Sequence, residues 1–300
     1  MNHVIGIDLG GTNIKALAVT PDGEVIAERS VSTNDNGSQG WRENPRRVVQ
    51  DLVECLGGPP QAIGFAAPGL PSRDGLSIAF MPGRLEGLEN FVWQKHLGAA
   101  RPVPVMNDAQ AALLGEVWLG AARGATNAIL LTLGTGVGGA ALVDGRLLRG
   151  HLGRAGHLGH VSLNPDGVLD IVNTPGSLED AMGDCTVPAR TGGRFKTAHD
   201  IIAAVKAGDA DANGVWKTSL RSLAAALAGF INVLDPEVIV IGGGIAAGAG
   251  DELFVPLHAM LERFEWRPAG AKVRLVKAAL GIRAGAIGAA RHALDTYRIR

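Results

Sequence analysis

The chain has 300 residues, with 28 Lys+Arg against 29 Asp+Glu and a formal net charge of −1. Hydrophobic residues make up 46% and charged residues 19%, the balance of a folded globular chain long enough for two cores. The even charge and the lack of a basic run argue against a nucleic-acid partner, no apolar run reaches the ~18 residues of a membrane span, and Cys55 and Cys185 are too few for a disulfide framework or a four-cysteine zinc site.

No charged-then-apolar leader precedes the first strand pattern at Val4, so the expectation is a cytoplasmic protein in a reducing compartment. Residues 4–19 read as strand, glycine turn at Gly10-Gly11-Thr12 and strand, closed by the hairpin dipeptide Asp22-Gly23. Residues 24–31 read as a third strand and 33–40 as a polar loop. Apolar residues at Val48, Val49, Leu52, Val53 and Leu56 mark one face of a helix over 45–56. A short buried strand over 62–67 ends at the turn Pro68-Gly69, and after Pro82-Gly83 a short helix around 91–97 leads to a strand over 103–106.

That strand runs into Asn107-Asp108 and an alanine-rich helix over 109–119. Asp108 has two readings. It can cap the helix by accepting a backbone N–H, or it can be an acid at the C-terminal end of a parallel strand, where open α/β sheets bind ligands.

Residues 128–145 repeat the N-terminal pattern: an apolar strand over 128–133, the turn Gly134-Thr135-Gly136-Val137-Gly138-Gly139, a return strand over 140–143 and the hairpin Asp144-Gly145. Gly134, Gly136 and Gly139 match the spacing of a dinucleotide fingerprint. That fingerprint needs a helix after the loop, and here a strand follows. Aligning Gly10 with Gly134 gives an offset of 134 − 10 = 124, so the chain reads as two related halves. Two such hairpins facing one cleft suit a polyphosphate, with Asp8 placed to hold its magnesium.

His151, His157 and His160 follow, open either to a zinc site lacking a nearby fourth ligand or to a polar substrate loop. Residues 164–184 read as irregular and contain Glu179. Helices are expected over 198–207, 215–234, 253–264 and 285–297, and strands over 237–241 and 272–279. Gly242-Gly243-Gly244 closes a strand; it is either a tight turn or a place where an adenine or ribose approaches the backbone.

In order, Asp8-Leu9-Gly10-Gly11-Thr12-Asn13, Asn107-Asp108, Leu133 to Gly139, Gly156 to His160, Leu178-Glu179 and Ile241 to Ile245 resemble the ROK family of sugar kinases and related repressors. The resemblance implies an α/β fold of two ribonuclease-H-like lobes of the actin/hexokinase-like ATPase superfamily with an interlobe cleft. Residues 1–118 plus 286–300 would form the small lobe and 119–285 the large one. It implies a homodimeric, ATP-dependent hexose kinase that phosphorylates O6 of glucose, with an N-acetylhexosamine, fructose or a catalytically inactive sugar-binding protein as alternatives. A repressor would carry a helix-turn-helix ahead of the strand at Val4.

By the same resemblance Asp108 is the general base, and Gly69, Asn107, Asp108, His157, His160 and Glu179 bind the sugar. Gly10, Gly11, Thr12, Asn13, Lys15, Gly134, Thr135, Gly136 and Gly138 take the phosphates of ATP, Gly242, Gly243 and Gly244 its adenosine, and Asp8 binds Mg2+ through a water. Two departures stand out: His157 replaces a family glutamate, and the zinc motif Cys-x-Cys-Gly-x-x-Gly-Cys aligns with Asp170 to Ser177, where all three cysteines are absent. No zinc is expected.

Overall fold

The computed structural model describes residues 2–81 and 83–300, so Pro82 lies outside the described residues. The chain divides into two compact units, one of residues 1–124, 149–155 and 282–300, the other of 125–148 and 156–281. Each has its own sheet and its own core.

The first unit contains β1 (Val4–Leu9), β2 (Asn13–Val19), β3 (Val25–Ser32), α1 (Glu43–Leu56), β4 (Ile63–Ala67), β5 (Leu70–Pro71), β6 (Ile78–Phe80), α2 (Trp93–His96), β7 (Val105–Asn107) and α3 (Asp108–Leu119). Its main sheet has the order β3-β2-β1-β4-β7, antiparallel across β3-β2-β1 and parallel across β1-β4-β7. β4 is a continuous apolar run and β1 is broken only by Asp8, because both strands lie in the middle of the sheet with both faces covered. One cover is α1, which buries Val48, Val49 and Leu52 and ends on Gly57 in the left-handed conformation (φ 70°).

The other cover is the C-terminal helix, Ala284–Tyr297. Gly6 and Gly64 are register partners on β1 and β4, and a Cβ at either would collide with the helix backbone, at Ala286 and Ala289 respectively. Paired glycines thus cut a groove in which an alanine-rich helix lies directly on the strands. Closer packing brings more dispersion contacts per residue than bulkier side chains would allow here.

The second unit contains β8 (Ala128–Leu133), β9 (Val137–Val143), β10 (Arg146–Leu147), α4 (Leu178–Met182), α5 (Val187–Arg190), α6 (Ala198–Lys206), α7 (Ala210–Leu234), β11 (Val238–Gly242), α8 (Gly243–Ala249), α9 (Asp251–Phe264) and β12 (Arg274–Lys277). Its sheet order is β10-β9-β8-β11-β12, with the antiparallel and parallel pairs arranged as in the first unit. Leu131, Leu133, Ile239 and Ile241 share one core with Leu220, Leu223 and Leu227 of α7 and Leu253 and Leu257 of α9.

β8 and β9 repeat β1 and β2 at a shift of 124 residues (128 − 4 and 137 − 13), so the duplication read from the glycine motifs extends to the topology. Three expectations are corrected. Residues 164–184 are not wholly irregular, because Ser177 caps α4 by accepting from Asp180 N at 3.2 Å. α7 starts at Ala210, five residues before 215, because Asp209 caps it through Ala212 N at 2.9 Å. The return strand begins at Val137, since Gly138 and Gly139 already pair with Thr132 and Leu131; the turn proper is Gly134 to Gly136. No described helix is long and apolar enough to cross a membrane.

Candidate active-site residues

In the first unit, Asp8 is the penultimate residue of β1 and faces Lys15 across the β1-β2 pair. Burial, with the neighbouring charge of Asp108 in the same direction, pushes the Asp8 carboxyl up to about 7, and Lys15 offsets only part of this. An acid held this way sits where additional positive charge is favourable, so its surroundings fit a divalent cation. Gly285, in the first turn of the C-terminal helix, would place a Cβ 2.5 Å from Asp8 Oδ2, so a side chain there would displace the carboxylate.

The turn after β1 is held from behind. Gly10 N donates to Asn13 O at 3.0 Å, and buried Thr33 donates through Oγ1 to Gly10 O at 2.6 Å and through its N–H to Thr12 O at 2.8 Å. Thr12 and Asn13 are exposed and Gly10 and Gly11 partly so, which leaves the outer side of the turn accessible. The Arg84 guanidinium packs against Gly11 and brings a cation to that turn.

At the helix end Asn107 makes the N-cap, while Asp108 Oδ1 also accepts from Ala109 N at 2.8 Å. Asn107 Oδ1 accepts from Ala109 N at 2.9 Å and Gln110 N at 3.3 Å, and Nδ2 donates to Gly69 O at 3.1 Å. Asn107 is 4% exposed, whereas Asp108 is exposed at the first helical position and coupled electrostatically to Asp8. A carboxamide has two acceptor lone pairs and two N–H groups, so one Nδ2 hydrogen of Asn107 is left for a ligand.

In the second unit, the turn from Gly134 to Gly136 is gripped by the segment around α4. Asp184 N and Cys185 N donate to Gly134 O and Thr135 O, both at 2.9 Å, and Glu179 Oε2 accepts from Val137 N at 2.9 Å. A Cβ at Gly136 would collide with the Glu179 carboxylate. Glu179, expected at the sugar, shapes the glycine turn of the second unit. Gly138 lies in β9 behind that turn rather than on it.

His157 is partly buried ahead of a one-turn helix, Leu158–His160. His160 Nδ1 lies 2.8 Å from Asp170 Oδ2. His151 is grouped with the first unit, where Arg73 Nη2 lies 3.1 Å from its Nε2. Among the described residues no group of three or more His, Cys, Asp or Glu is arranged to hold a metal ion. Gly242 caps α8; Gly243 (φ 88°) packs on Leu133, and Gly244 faces open space at the start of the helix.

Thr33, Arg84 and Gly285 escaped the sequence reading. Only Gly285 had a signal, the small-residue run Ala284-Gly285-Ala286 that opens the last helix.

The family model described as the ROK family matches residues 4–296. The glucokinase of Halalkalibacterium halodurans is 34% identical over 313 aligned positions, which cover 95% of this chain and 92% of that protein. The N-acetylmannosamine kinase of Escherichia fergusonii is 31% identical, over 95% and 96% of the two chains. A ROK family glucokinase from Streptomyces griseus, solved in complex with glucose and AMPPNP, superposes with a TM-score of 0.79 at 28% identity, covering 98% of this chain and 100% of that one.

Proposed function

The chain belongs to the ROK family and is an ATP-dependent sugar kinase, and we propose that it transfers the γ-phosphoryl group of ATP to O6 of glucose with Asp108 as general base. The observation that carries this reading is the corner of β7 and α3. Asn107 supplies the helix cap, and the acid next to it is left exposed and charge-coupled to the acid at the end of β1. A base that must meet a substrate hydroxyl needs that exposure, and Asp108 keeps it although its Oδ1 also accepts from Ala109 N at 2.8 Å.

Asp108 accepts the hydroxyl proton and aims the oxygen at phosphorus, a role worth roughly 10²- to 10⁴-fold in general-base catalysis. Asp8 would hold magnesium through a water, and the ion when bound neutralises charge on the phosphates. Backbone amides of the turns at Gly10–Asn13 and Gly134–Gly136, with Lys15, bind the phosphates, and Gly244 leaves room for the adenosine. Asn107 Nδ2, Gly69, His157, His160 and Glu179 orient the sugar. Alignment supplies the remaining gain in a loose transition state.

A second acceptor, N-acetylmannosamine, is favoured by the relative that phosphorylates it and by His157 standing where a family glutamate is expected. ADP release coupled to NADH oxidation, measured over glucose, mannose, fructose, N-acetylglucosamine and N-acetylmannosamine, separates the two. Glucose should give the highest kcat/KM, and Asp108→Asn should lower kcat by at least ~10²-fold with nucleotide binding retained. Full turnover by Asp108→Asn removes the base from its role, and no turnover with any sugar favours a binding protein.

A further inference from the structure

The segment that aligns with the family's zinc motif is built around a carboxylate. Asp170, whose side chain is wholly buried, accepts from His160 Nδ1 through Oδ2 at 2.8 Å and from Val172 N and Thr174 N through Oδ1 at 2.9 and 2.8 Å. The Ser177 hydroxyl also bonds to it. Burial alone would raise this carboxyl, but the four donors outweigh it and hold it below the usual range.

Around Asp170 the main chain closes on itself. Asp170 N donates to Thr174 O, Gly176 N to Val168 O and Leu163 N to Gly176 O, at 2.8 to 3.0 Å, and Ser162 Oγ donates to Pro175 O at 2.7 Å. Asn173 takes a left-handed conformation (φ 64°) where the motif has glycine, which asparagine tolerates better than most residues.

These residues do not fit zinc. Of the three cysteine positions, Val172 offers no ligand atom and Ser177 a neutral hydroxyl already engaged in capping α4. The contact between His160 and Asp170 is a hydrogen-bond distance, shorter than the ~3.3 Å that separates two tetrahedral ligands each about 2.0–2.1 Å from a zinc ion.

We propose that Asp170 replaces the metal as the organiser of this loop. It orders residues 161–177 and acts as a positioning residue that fixes His160 with the proton on Nδ1, leaving Nε2 as a hydrogen-bond acceptor for a sugar hydroxyl. The last element rests on the sugar-kinase reading; the ordering and the tautomer do not. A carboxylate beside one ring nitrogen selects which nitrogen carries the proton. Ser177 passes the order on, since it caps the helix that carries Glu179, which in turn holds Val137, the first residue of β9 after the second turn.

Two variants separate positioning from mere structure. In Asp170→Asn the amide oxygen still accepts from Val172 and Thr174 while its NH2 faces His160 and drives the proton to Nε2. Asp170→Ala removes both functions. The readouts are 15N shifts of labelled histidine for the tautomer, limited proteolysis of the loop, zinc content by mass spectrometry, and KM for sugar and ATP separately. The wild type should show Nδ1–H at His160, no stoichiometric zinc and a loop unaffected by 1,10-phenanthroline.

Asp170→Asn should keep the loop protected, shift His160 to Nε2–H and raise the sugar KM about 10-fold, the scale of one mispaired buried hydrogen bond, with the ATP KM unchanged. Asp170→Ala should be cleaved in the loop. Stoichiometric zinc, an Nε2–H tautomer in the wild type, or an unaltered sugar KM in Asp170→Asn overturns the proposal. If no sugar is turned over, the sugar-kinase reading fails, and tautomer, zinc and proteolysis still decide the role of Asp170.

Discussion

Asn107 and Asp108 are adjacent, chemically similar and given different roles by one backbone turn. Asn107 points inward, caps α3 and ties the corner to Gly69; Asp108 points outward at the first helical position. Replacing Asn107 by Ala removes a cap, and the expected loss of stability is about 1 kcal/mol, read by denaturant unfolding. Replacing it by Asp keeps an acceptor for the cap but removes the donor to Gly69 and sets a second carboxylate beside Asp108. Asn107→Asp should therefore unfold within a few tenths of a kcal/mol of the wild type while its sugar KM rises about 10-fold. Equal stability losses in the two variants would show that Gly69, not the helix end, is what Asn107 supports. The pair also shows a limit of the sequence: Asn and Asp cap helices equally well, so which one does so depends on where the strand stops, and β7 runs through Asn107.

Whole elements were easier to read than their ends. β4 and β11 are apolar runs, and β1 and β8 are broken only by Asp8 and Thr132, the positions they bury least. α4 was hidden because five residues are too few for a helical period, and its cap lies in a stretch rich in proline and glycine. Candidate site residues were legible where they sit on or beside duplicated motifs, as Asp8, Gly10, Gly134 and Gly136 do. Thr33 and Arg84 were not, because their contacts with the first turn join points of the chain that no local pattern links. The grip of α4 on the second turn is of the same kind and can be tested. In Gly136→Ala the new methyl group takes the place of the Glu179 carboxylate, so the Val137 N–H loses its acceptor and the turn its shape. KM for ATP and for sugar should both rise, by about 10-fold each, while Glu179→Gln, which keeps an acceptor for Val137 N, should raise the sugar KM alone. A rise in the ATP KM for Glu179→Gln equal to that of Gly136→Ala would mean the charge of Glu179, and not its position, matters to the turn.

The molecule is two copies of one sheet topology, but the chemistry is not duplicated with it. At the place where β1 carries Asp8, the equivalent residue 124 positions on is Thr132, so one half alone carries the acid. The net charge of −1 therefore says little about stability against pH; one enclosed carboxyl says more. Asp8 titrates at about 7 in the folded chain against an ordinary value of 3.8, because burial and Asp108 disfavour its charge. Between those two values the folded state binds more protons than the unfolded state, so this group makes stability fall as pH rises. Its penalty is absent below about 4 and complete above about 7. Asp8→Asn has the same shape without the charge. In magnesium-free buffer its Tm should exceed that of the wild type at pH 8, and the gap should close as the pH falls toward 4. Magnesium should narrow the gap at pH 8 by stabilising the wild type alone, since an ion that binds the folded state shifts Tm by mass action. Calorimetry across this range checks both effects, and an Asp8→Asn protein less stable than the wild type at pH 8 without magnesium would show that the Asp8 carboxylate is stabilised by partners that outweigh its burial.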